Sequence, residues 1–149
     1  MLPTDVTTWV VLAGAAEAKI FEHKRKQNAF KLHTHLEHPE GRASVHDLVT
    51  DHSGNYNAGS STGSFSQDHN PKDNENTNFV LQIVHLLDHA RSTNQFDELI
   101  IITLPHFYGL LEKHMGEQLQ KKLVRHIMKD YLHVPEKELL EKVFPAENM

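Results

Sequence analysis

The chain has no cysteine. Disulfides, cysteine-ligated zinc and thiol catalysis are therefore excluded. It also has no long apolar run. The segment WVVLAGAA at 9–16 is far short of the roughly 20 residues that span a bilayer. A secretion signal would place Lys or Arg just before such a run, and Asp5 stands there instead. The segment reads as a buried strand, and the cytoplasm is the expected location. There is no G-x-x-x-x-G-K-[ST] loop for phosphates, because no lysine follows Gly54 and Gly59. There is no G-x-S-x-G elbow either, so Ser60, Ser61 and Ser64 have no nucleophile setting.

What is present is an average globular mixture, 38% hydrophobic and 23% charged over 149 residues. That length suits one domain with a real core and is short for two. The formal charge of −5 argues against a surface that is basic throughout, although local basic patches are compatible with it. Thirteen histidines make the net charge climb steeply on mild acidification.

The apolar pattern predicts the elements in order. TTWVVLAG (7–14) reads as a buried strand. EAKIFEH (17–23) reads as its hairpin partner, with Ala18, Ile20 and Glu22 on one face. FKLHTHLEH (30–38) alternates, with Phe30, Leu32, Thr34 and Leu36 facing one way and Lys31, His33, His35 and Glu37 the other. A short helix is expected over 41–49. Asn70, Pro71 and Asp73 open a long helix with an apolar stripe of Phe79, Val80, Ile83, Val84, Leu87 and Ala90. ELIIITLP (98–105) reads as a parallel strand covered on both faces. Helices over PHFYGLLEKHM and EQLQKKLVRHIM follow, broken near Gly116, then a short strand at 129–134 and a last helix, PEKELLEKVF.

The order βββ-α-β-α-β-α is that of a ribonuclease-H-like α/β fold, a five-stranded mixed sheet with helices on both faces, in a single domain over 1–149. Nucleases of that order hold two metal ions with carboxylates, including one on the first strand. Here the first strand, Trp9 to Gly14, carries no acid. Two-metal catalysis has no ligand set.

Between the strands and the first long helix lies a polar segment, 51–70, holding Gly54, Gly59 and Gly63 and no Lys or Arg. Its composition is that of a flexible loop. Histidines form two pairs at chelating spacing, His33 with His35 on a strand and His85 with His89 on a helix. Spacing points to no third ligand, so solvated surface histidines are the reading and no metal is assigned. Basic residues gather in HKRK and KKLVR, which makes Lys24, Arg25, Lys26, Lys121, Lys122 and Arg125 the residues available to release counterions from RNA.

Taken together, WVVLAGAAEAKIFEH, LEHPEGR, DLVTD, GSFSQ, NPKDNENTNFVLQI, ELIIITLPHFYGLL and KDYLHVPEKELLEKV resemble the bacterial host-attachment protein family over nearly the whole chain. That family is similar to the middle domain of eukaryotic and archaeal class-1 peptide release factors and of pelota. The resemblance implies a ribonuclease-H-like fold and places 51–70 at the release factors' Gly-Gly-Gln loop. The tripeptide itself is absent: Gly59 and Gly63 are isolated and Gln67 follows Ser66. Gly54, Gly59, Gly63 and Gln67 are thus loop residues without a transferable catalytic role. The implied function is a non-enzymatic accessory of translation, contacting ribosome or tRNA, with no cofactor. The alternatives are a protein-interaction factor acting indirectly in host attachment, and a small metal-dependent hydrolase built on a histidine cluster.

Overall fold

The computed structural model describes residues 5–39 and 71–145, with side chains described for 5–39 and 76–145. The short helix expected over 41–49 and the segment 51–70 lie outside the described residues. Strands Thr7–Ala13 (β1), Glu17–Lys24 (β2) and Ala29–Glu37 (β3) come first, followed by the helix Pro71–Ser92 (α1) and strand Glu98–Ile102 (β4). Helices Pro105–His114 (α2) and Glu117–Gln120 (α3), strand Leu123–Ile127 (β5) and helix Glu136–Val143 (α4) complete the order.

The strands form one mixed sheet in the order β3-β2-β1-β4-β5. β1 is antiparallel to β2 and parallel to β4; β3 is antiparallel to β2, and β5 parallel to β4. β1 is buried along its whole length because layers pack on both faces of the central strands. On the first face Trp9, Val11, Ile20, Leu99 and Ile101 meet the apolar stripe of α1, with Leu111 of α2 and Leu119 of α3. On the second, Val10, Leu12, Phe21, Ile100 and Ile102 meet Leu139 and Val143 of α4. Each fully buried Leu or Ile contributes about 1.5–3 kcal/mol relative to exposure.

Expectations are corrected in two regions, around β4 and β5 and in β3. The fifth strand is Leu123–Ile127, within the segment read as helix, and 129–134 is turn rather than strand. The Leu99 amide donates to the Lys122 carbonyl and the Thr103 amide to the Ile127 carbonyl, so the pairing needs of β4 draw 123–127 into extended form. Tyr131, Leu132 and Val134, whose apolar pattern suggested a strand, pack from that turn against the second core. β4 also ends at Ile102, because Pro105 opens α2 in its first turn, where a missing N–H costs nothing.

The second correction concerns β3. Its register with β2 shifts between Ile20 and Phe21, so that Ile20 faces Thr34 and Phe21 faces Leu32. The extra residue, His33, is a β-bulge that interrupts the alternation. Leu36 consequently packs on the first core and Phe30 on the second, not on one shared face.

Candidate functional site

The amino ends of the parallel strands and the β2–β3 turn share one end of the sheet. Thr7 pairs with Lys24, Thr8 with Glu98, and Leu99 with Leu123, which makes a row from β2 to β5. Lys24 and Lys26 at one side and Lys121 and Lys122 at the other are separated by three strand spacings, about 14 Å. The turn after Lys24 is tight: Asn28 has φ of 50° and its amide donates to the Arg25 carbonyl at 3.2 Å. A left-handed position suits Asn, whose short side chain tolerates it. The Asn28 Oδ1 in turn accepts from Nε2 of the buried His23 at 2.7 Å.

Two basic side chains of the first cluster are tied to this row, and Lys26 is tied through its backbone. The Lys24 ammonium donates to Thr7 Oγ1 at 2.9 Å. Arg25 reaches across β1 to Glu98, with Nη2 at 2.9 and 3.4 Å from its two carboxylate oxygens. The Lys26 amide donates to Asp5 Oδ1 at 2.6 Å, leaving that side chain exposed. Lys121 is exposed and Lys122 half-buried. Three acids, Asp5, Asp97 and Glu98, stand in the same row, and Asp97 is committed to the Thr7 amide at 2.9 Å. Arg125 sits apart from the row. It pairs with Ile100, and its guanidinium donates to the Val143 carbonyl at 2.8 Å, where a cation complements the carboxyl end of α4.

The histidine pairs do not converge. His33 lies against Trp9 with ring centroids 4.5 Å apart, on the first face, and its Nδ1 is 2.7 Å from Thr34 Oγ1. His35, paired with Lys19, is on the other face, with Nε2 2.9 Å from Glu17 Oε1. His85 and His89 are exposed on α1. Among the described residues no group of three or more His, Asp or Glu is arranged to hold a metal ion. Gly54, Gly59, Gly63 and Gln67 lie outside the described residues.

At the opposite end, where β1 and β4 finish, there is a cleft of about 440 Å³. The β1–β2 turn, Asn76 of α1, the start of α2 and the 130–133 turn line it. The buried Thr103 hydroxyl donates to the Ala13 carbonyl at 2.6 Å and joins the ends of the two parallel strands. A Cβ at Gly14 would lie 2.9 Å from Leu132 Cδ1, so a larger residue here would push that side chain aside. In open α/β sheets this end of the strands is where ligands bind.

The model of a family described as "Protein required for attachment to host cells" matches residues 9–143. The chain belongs to this family. No curated protein matches it. Five chains of solved structures are similar. One is an archaeal protein with a TM-score of 0.51 and 14% identity, covering 95% of this chain and 34% of that one. The host-attachment chain thus spans about a third of that protein's length, and a likeness at this identity is one of fold. Among the described residues no helix is long and apolar enough to cross a membrane.

In this host-attachment family member the basic residues are visible in the sequence, and the cleft is not. Glu17, Asn76, Thr103, His106, Asp130 and His133 come from four distant segments, and no spacing rule joins them. One signal was available: Gly14 and Thr103, small or polar residues at the carboxyl ends of two apolar strands, mark where such a fold opens.

Proposed function

We propose that this chain is a non-enzymatic accessory of the translation machinery that contacts ribosomal or transfer RNA through the amino end of its sheet. Its part in host attachment is then indirect. The observation that carries this reading is the gathering of Lys24, Arg25 and Lys26 with Lys121 and Lys122, distant in sequence, at one end of the sheet. Phosphate contact requires exposed cations, and Arg25, Lys26 and Lys121 are exposed in this row. The acids of that row are largely engaged, Glu98 by Arg25 and Asp97 by the Thr7 amide, which lowers their repulsion of a phosphate. The resemblance to release-factor middle domains supports the choice of RNA as the polyanion. The absence of Gly-Gly-Gln and of acids on β1 supports a role without catalysis.

Co-sedimentation with ribosomes and filter binding to tRNA test it. Replacing Lys24, Arg25 and Lys26 by Glu together, with folding confirmed by circular dichroism, weakens association. It also flattens the salt dependence by about 0.9 in slope per lost phosphate on a duplex, or about 0.7 on a single strand. Association that survives the reversal at low salt refutes this surface, and a wild-type chain that never co-sediments refutes the reading. In that event the protein-interaction reading takes its place, for which the exposed Val124 in β5 and Met128 just after it are the supporting observation.

A further inference from the structure

We propose that the cleft at the carboxyl ends of β1 and β4 binds a small organic cation, an amine or guanidine carried on an apolar body. Its volume, about 440 Å³, falls among small-ligand cavities of about 300–1,000 Å³. The apolar body follows from the walls: Ala13, Ala15 and Ala16 on one side, Leu104 and Phe107 on another, and Leu132 on a third. With no Cβ at Gly14, the Leu132 side chain can close against the strand end and complete the wall. Of the polar lining residues, Thr103 and Asn76 are buried, and the Thr103 hydroxyl is committed to the Ala13 carbonyl.

The charge follows from the rim. Glu17 and Asp130 line the cleft, and neither Lys nor Arg is among its described lining residues. Both carboxylates are oriented in advance. Glu17 lies 2.9 Å from His35 Nε2, and Asp130 Oδ1 accepts the Leu132 amide at 3.3 Å. A ligand ammonium held there sits against low-dielectric walls, where Coulomb attraction is stronger than in water. Carboxylate or phosphate ligands would meet these two like charges, against which the lining sets His106, His133 and the first turn of α2. Because this cleft is at the opposite end of the sheet from the basic row, the proposal stands apart from RNA contact.

The test is an amide-shift titration of the isotope-labelled full chain with phenethylamine, benzyl alcohol and phenylacetate as probes. Phenethylamine is expected to give saturable shifts at Gly14, Ala16, Leu104 and Leu132, with about tenfold tighter binding than benzyl alcohol. Phenylacetate is expected to give none. The double variant Glu17→Gln with Asp130→Asn, at two positions outside the buried core, removes the amine's advantage and leaves the alcohol unchanged. No saturable shift with phenethylamine, equal or tighter binding of phenylacetate, shifts confined to other surfaces, or undiminished amine affinity in the double variant would each overturn the proposal.

Discussion

His33 and His35, neighbours at strand spacing, stand on opposite faces of the sheet. The bulge at His33 separates them, and each has its own partner, Trp9 for one and Glu17 for the other. The chain has one tryptophan, whose ring lies against both His33 and Phe96, so its emission reports on these surroundings. His33→Ala is expected to shift and brighten Trp9 fluorescence and to cost about 0.5–1.5 kcal/mol from the lost ring contact. His35→Ala is expected to leave the emission unchanged and to cost under about 1 kcal/mol, as a half-exposed contact with a carboxylate does. Urea melts followed by fluorescence and by circular dichroism measure both.

Arg25 and Glu98 form an ion pair in which the arginine is 61% exposed. Such pairs contribute about 0–1 kcal/mol. Arg25→Ala therefore leaves the urea midpoint nearly unchanged, while on the proposed function it weakens tRNA retention on filters. If stability falls with binding, Arg25 is structural instead.

Thr103 ties β4 to β1 through a buried hydroxyl, 1% exposed. Thr103→Val keeps the shape and removes the donor to the Ala13 carbonyl. A loss of about 1–3 kcal/mol is expected for an acceptor left short of a partner in the interior. Equilibrium denaturation gives the value, and faster amide exchange at Gly14 localises it to the cleft end.

Tyr108 packs under the sheet with its ring stacked on His126 at 4.7 Å. Burial pushes its phenol above the ordinary value of 10, and the nearby Glu112 carboxylate adds to the rise. The folded state thus keeps the phenol proton more tightly than the unfolded chain does. Its contribution is intact below pH 10 and is lost as pH rises from there through the folded value. Phenolate absorbance should appear later for Tyr108 than for an exposed tyrosine, and Tyr108→Phe should flatten the fall in stability across that window.

Much of the fold was legible in the residues. The unbroken apolar run of β1, the stripe from Phe79 to Ala90 and the Pro71 start are local signals, and local burial follows from them. The composition alone removed disulfides and thiol chemistry, and the sequence shows directly that β1 carries no acid. Three features were decided only by tertiary structure. Residues 123–127 became a strand because β4 needed a partner along its free edge, a demand that no helix-like spacing in EQLQKKLVRHIM reveals. The bulge at His33 arises from register against β2, and one extra residue sends every later side chain of β3 to the other face. The basic row and the cleft exist because parallel strands bring residues from distant segments to common ends of a sheet. Sequence specifies periodicity along the chain; which ends and edges meet is fixed by the backbone hydrogen bonds that close the sheet.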